Sequence, residues 1–236
     1  MKSVQKTARL AGVLYLIIFI VYPLSAFIGK ASILVPGDPA ATVENIKASE
    51  SLFRIGIAGE VVIFLVEIVL AGIFYQFLRP VNPALSLAAA FSRLAEAIIQ
   101  AVNLLPSILA LLLVSGAGYL AAFESSQINT LVRLLMDSFE FMIFVWGFFF
   151  GLHLLLLGYL IYQSGYFPKF LGVLVVLASV GYLLQSFGAF VTPQFNQFLA
   201  NLVLVLAVPG ELALTIYLLW KGINVEKWEK LALEPV

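Results

Sequence analysis

Arg93-Leu-Ala-Glu-Ala-Ile-Ile-Gln-Ala-Val-Asn103 is the stretch on which the reading of this chain turns. Its polar residues Arg93, Glu96, Gln100 and Asn103 are spaced three and four apart inside a long apolar run. At about 100° per residue they fall within roughly an 80° arc, so one helix face carries all the polarity. Ionisable groups at membrane depth are costly and almost always face a bundle interior or a wet cavity. The stretch therefore predicts a membrane-embedded bundle with a polar interior.

Composition agrees. Of 236 residues, 62% are hydrophobic and 11% charged, and the mean hydropathy is +1.06. A soluble domain is nearer half apolar and a quarter charged, so the chain reads as an integral membrane protein. Thirteen basic residues balance thirteen acidic ones, which gives no basis for a nucleic-acid partner. With no cysteine, disulfides, thiolate metal sites and cysteine nucleophiles are excluded. Membrane lipid is the one partner composition implies, and nothing in it sets the oligomeric state.

Spans of about twenty apolar residues are the expected unit. They fall near 10–29, 55–78, 84–114, 137–162, 170–190 and 198–220, in one transmembrane domain covering 1–236. The first is longer than the apolar core of a cleaved signal and is expected to be retained. With both termini inside, the cytoplasmic face holds Lys2, Lys6, Arg9, Arg79, Lys169, Lys221, Lys227 and Lys230. The outer face holds Lys30, Lys47, Arg54 and Arg133, and this asymmetry predicts both termini on the cytoplasmic side.

Arg79-Pro-Val-Asn-Pro and Gly165-Tyr-Phe-Pro-Lys are tight joints, where proline ends one helix and starts the next. Asp38 followed by Pro39 starts an amphipathic helix over about 39–54, expected on the outer surface. A helix from about Gln127 to Tyr162 would be about 54 Å long, against a hydrocarbon core of about 30 Å. The third and fourth spans should therefore project outward unless Pro106 or Gly116-Ala-Gly118 breaks the third. Arg9-Leu-Ala-Gly-Val-Leu also parallels Lys169-Phe-Leu-Gly-Val-Leu, and each copy precedes a span with a central glutamate, Glu67 or Glu211. Parallel repeats of this kind occur in transporters, although leucine-rich helices also match by chance.

Depth sorts the buried polar residues. Glu67, Arg93, Glu96 and Glu211 could share a level roughly 14–18 Å into the bilayer. Glu60, Gln100, Asn103 and Glu140 form a second tier nearer the outside. Three carboxylates against one guanidinium leave two excess negative charges at low dielectric. A proton, a bound cation or the cationic group of a ligand must offset them; otherwise Arg93 and a glutamate form a purely structural pair. These eight residues are the candidate ligand-binding set. His153 lies about 20 Å along the helix from Glu140 and reads as a packing histidine bonded to a neighbour, so no metal is expected. Trp146-Gly-Phe-Phe-Phe-Gly reads as lipid-facing and packing surface, with Gly147 and Gly151 admitting another helix. Trp220 and Trp228 read as interfacial anchors. No catalytic or cofactor motif is present, and no cofactor is expected.

Several motifs resemble one family. They are Thr7-Ala-Arg-Leu-Ala-Gly-Val-Leu-Tyr-Leu, Leu34-Val-Pro-Gly-Asp-Pro-Ala-Ala-Thr, Ser51-Leu-Phe-Arg-Ile-Gly-Ile, Gly158-Tyr-Leu-Ile-Tyr-Gln-Ser-Gly-Tyr-Phe-Pro and Gly210-Glu-Leu. Together they are similar to the bacterial membrane proteins grouped as domain of unknown function 4386. The resemblance covers nearly the whole chain and implies a multi-pass bacterial membrane protein, expected in the cytoplasmic membrane, with no activity or site residue to carry over. The expectation is an all-α six-span bundle whose polar interior binds, and by extension transports, a small or amphiphilic molecule. The alternatives are an intramembrane enzyme using the buried carboxylates, and a regulatory or partner-binding membrane subunit.

Overall fold

Inside a bilayer no water is available to the backbone, so a spanning segment must satisfy its own hydrogen bonds as a helix or in a closed barrel. In the computed structural model, which describes residues 2–27 and 32–233, every regular element is helical. The helices are α1 (Lys2–Ala26), α2 (Pro39–Ala48), α3 (Glu50–Leu78), α4 (Pro83–Val102), α5 (Leu104–Val114), α6 (Ser125–Gln163), α7 (Lys169–Val191), α8 (Asn196–Trp220) and α9 (Val225–Leu233). Six stretches among the described residues are long and apolar enough to cross a membrane: α1, α3, α4 with α5, α6, α7 and α8 with the turn before it. The protein is therefore all-α and polytopic. Exposed Ile20, Leu65, Phe187 and Val205 lie on these spans, where lipid covers them. The predicted end of the first span at 28–29, and Lys30, lie outside the described residues.

The chain forms two compact units. One holds residues up to Ile17, Val66–Ala97 and Phe144 onward; the other holds Ile18–Leu65 and Ile98–Ile143.

In the first unit, glycines set how closely the helices approach. A Cβ on Gly172 of α7 would lie 2.6 Å from the Gly158 carbonyl oxygen of α6, and one on Gly158 would lie 2.8 Å from the Gly172 oxygen. Gly147 and Gly151 continue that face of α6 against Ser186 and Leu183 of α7. Gly210 brings α8 against α7, where a Cβ would meet the Leu174 oxygen at 2.7 Å. Gly12 does the same for α1 against Leu219.

Helix ends in this unit are tied by side chains. Asn82 accepts from the Leu85 N–H at 3.0 Å with Pro83 at the first position of α4, a standard N-terminal cap. The Phe77 carbonyl, orphaned in the last turn of α3, accepts from the Tyr166 hydroxyl at 2.5 Å and the Trp228 indole at 3.0 Å. Gly165 turns the chain at φ +70°, a conformation that favours glycine. The Gln5 amide donates to the Lys221 carbonyl at 2.5 Å and accepts from the Ile223 N–H at 3.3 Å, closing the end of α8. Trp220 is exposed, as an interfacial anchor would be, whereas Trp228 is also a structural donor.

The second unit has its own apolar core. Val43 and Ile46 of α2 are buried with Phe53, Ala110, Leu111, Val114, Val132 and Met136. Asp38 caps α2 by accepting from the Ala41 N–H at 2.9 Å, as the sequence suggests. The helix ends at Ala48 rather than 54, and its apolar face packs into protein instead of lying on lipid. The long third span is interrupted at Asn103, between α4 and α5. Pro106 explains this: its ring crowds the Val102 carbonyl and offers it no N–H. No break shortens α6, whose 39 residues extend about 58 Å.

Candidate functional site

The first unit gathers buried ionisable groups around Arg93. Buried Ser86, Ala89, Arg93, Glu96 and Ala97 define one face of α4, so Arg93 and Glu96 enter the core one turn apart. Arg93 is 1% exposed, Glu96 0% and Glu67 2%. Arg93 Nε lies 3.0 Å from Glu96 Oε1, and Nη2 lies 3.9 Å from Glu67 Oε1. The shorter approach is not aligned along an N–H. Arg93 Nε, Arg93 Nη1 and both Glu96 oxygens are buried without a hydrogen bond inside the protein.

Aromatic rings complete the surroundings. The guanidinium carbon sits 5.0 Å from the Phe150 ring centre and 5.7 Å from that of Tyr15. Trp146 packs on Phe150 at 4.7 Å, and Tyr182 meets both Phe150 (4.8 Å) and Trp146 (5.9 Å). Each contact of cation and ring is worth about 0.5–2 kcal/mol, with the higher figure for a desolvated pair. The Tyr182 hydroxyl donates to Glu211 Oε1 at 3.1 Å. Glu211 is set on α8 immediately after Pro209 and Gly210, where that helix presses on α7. His153 Nδ1 is 2.8 Å from the Ala89 carbonyl. A carbonyl only accepts, so Nδ1 carries the proton, and Nε2 keeps a buried lone pair with no hydrogen-bond partner in the protein.

The sequence-predicted residues divide between the units. Glu67, Arg93 and Glu96 meet, and Glu211 joins them through Tyr182 and Phe150. In the second unit Gln100 donates to Glu60 at 2.7 Å, and the Asn103 amide donates to the Phe139 carbonyl at 3.0 Å. Glu140 is exposed and borders a small cavity of about 150 Å³ with Arg133 and Asp137. There Arg133 grips Asp137 with both arms, at 2.8 and 3.0 Å.

The aromatic set is what sequence reasoning missed. Trp146 and Phe150 belong to the ring cluster beside Arg93 rather than to a lipid-facing surface. Their four-residue spacing, continued by His153 three further on, marks an inward face of α6 and was the available signal. His153 itself is the packing histidine expected. Among the described residues no three His, Asp or Glu side chains are gathered to hold a metal ion.

Six apolar spans and a buried ion pair ringed by aromatics define a polytopic helical membrane protein with a polar interior. Residues 10–222 match the family described as Domain of unknown function (DUF4386), and the chain belongs to that family. A 37-residue stretch is 60% identical to an uncharacterized protein of Archaeoglobus fulgidus, covering 16% of this chain and 23% of that one. The chain thus matches only about a quarter of the length of this curated relative. No solved structure matches significantly.

Proposed function

We propose that the protein binds a small or amphiphilic molecule at the Arg93 cluster and moves it through the polar interior. The observation that supports this most directly is Glu96, fully buried with neither oxygen hydrogen-bonded, although a guanidinium lies 3.0 Å away. A buried pair that serves stability alone offsets its desolvation only with good alignment and filled hydrogen bonds. This pair has neither. Its excess of carboxylates over arginine also favours exchange with something that brings charge or donors. The protein acts in a bacterial cytoplasmic membrane, and the bias of lysine and arginine supports both termini lying inside.

Native mass spectrometry of the protein in lipid nanodiscs tests the binding. A small molecule should be retained by the wild type and lost from the double variant Glu96→Gln, Phe150→Ala, which removes a carboxylate and a ring from the site. A bare wild type, or a molecule held equally by both proteins, overturns the reading.

A further inference from the structure

We infer that the molecule bound is an organic cation, an ammonium or guanidinium on an apolar body, and that Arg93 is a tethered stand-in for it. The inference rests on the binding reading above and narrows it to one class of ligand.

Charge is the first reason. Glu67 and Glu96 flank a single guanidinium at 3.9 and 3.0 Å, and Glu211 is linked to the same cluster through Tyr182 and Phe150, so the cluster attracts positive charge and repels an anion. The rings are the second. Aromatic faces carry negative potential, and Tyr15 and Phe150 already present theirs to a cation at 5.7 and 5.0 Å. Trp146 and Tyr182 extend that aromatic wall, which would take the apolar body of a ligand.

The looseness of Arg93 is the third reason. Its Nε is close to Glu96 but misaligned, its Nη2 is 3.9 Å from Glu67, and its Nη1 has no hydrogen-bond partner. Both Glu96 oxygens and His153 Nε2 are buried acceptors with no hydrogen bond inside the protein, and each is open to a donor. A ligand cation brings N–H groups with freedom to align, which a side chain fixed on α4 does not have. A neutral molecule would leave the carboxylates without a counter-charge once Arg93 moved aside. Binding is therefore an exchange: the ligand enters between the carboxylates and the rings as Arg93 withdraws.

The experiment uses the protein in lipid nanodiscs and three probes of similar size: propylguanidinium, neutral propylurea and anionic butyrate. Saturable binding is measured on the wild type, Arg93→Ala and the double variant Arg93→Ala, Glu96→Gln. Propylguanidinium should bind Arg93→Ala about tenfold or more tighter than the wild type, because no side chain has to be displaced. Adding Glu96→Gln should weaken that binding by about tenfold or more, and the other two probes should bind none of the three proteins. Equal binding of propylurea or butyrate, no binding by Arg93→Ala, or indifference to Glu96→Gln would overturn the inference. If Glu96→Gln does not fold, Glu67→Gln replaces it, and the three probes on Arg93→Ala still decide. A wild type that retains a neutral or anionic molecule in native mass spectrometry would reject the cation while leaving the binding function intact.

Discussion

Removing Arg93 should destabilise the protein more than removing Arg93 together with the charge on Glu96. Arg93→Ala leaves Glu96 and Glu67 without their cation, and both are almost wholly buried. At an effective dielectric of about 20, the 3.0 Å and 3.9 Å approaches correspond to about 5.5 and about 4 kcal/mol of Coulomb attraction. Breaking a buried pair by removing one partner typically costs about 3–5 kcal/mol, because the other charge stays buried alone. That should lower the midpoint of thermal unfolding by on the order of 10 °C for a chain of this size. Glu96→Gln keeps the side-chain volume and deletes the charge. Added to Arg93→Ala, it should return somewhat more than half of the loss, since the Glu96 contact is the shorter of the two. The assay is intrinsic-fluorescence unfolding in one detergent. A single variant as stable as the double would refute the reasoning, and Arg93 would then not neutralise Glu96.

Four further outcomes are expected. Gly172→Ala should cost about 1–3 kcal/mol or more, because its Cβ would meet the Gly158 oxygen at 2.6 Å, while Gly72→Ala, with nothing within 4 Å, should be neutral or slightly stabilising by the same unfolding assay. Tyr166→Phe and Trp228→Phe should each cost about 1 kcal/mol or less, but the double variant more than their sum, since only then is the Phe77 carbonyl stripped of both donors. Burial pushes the Tyr166 phenol above its usual range, so its contribution is fully present below about pH 10 and is lost as the pH rises beyond that, which alkaline unfolding of wild type against Tyr166→Phe will show. Cysteines introduced at 80 and 168, in a chain with none of its own, should react with impermeant reagents only from the cytoplasmic side.

The six spans were legible because their lengths and hydropathy leave no other use for such segments. The pairing of Arg93 with Glu96 was legible too, since three residues on a helix is a neighbour's distance. Glu67 could be assigned a depth, and that depth sufficed to bring it to Arg93. What was missed was which way α6 turns its aromatic residues. Nearly every position there is apolar, so only His153, in step with Trp146 and Phe150, distinguishes the face toward Arg93 from a face toward lipid. Glu140 shows a related limit, because a residue near the end of a span can sit inward or outward at the same depth, and it lies exposed beside Arg133 and Asp137. Asn103 lies on the predicted polar arc, but Pro106 breaks the helix beside it and its amide bonds the Phe139 backbone.

The clasp between Gln5 and the end of α8 has a consequence for the order in which the protein is made. Its partners are 216 and 218 residues apart, and Gly12 meets Leu219 on the same pair of helices. At about 5–20 residues per second, α1 would leave the ribosome roughly 10–40 s before the residues it must grip exist. Throughout that interval the first helix has to wait in the membrane with the polar side chain of Gln5 and the narrow groove at Gly12 uncovered. Closure of the first unit is therefore a late event, set by the arrival of the final span.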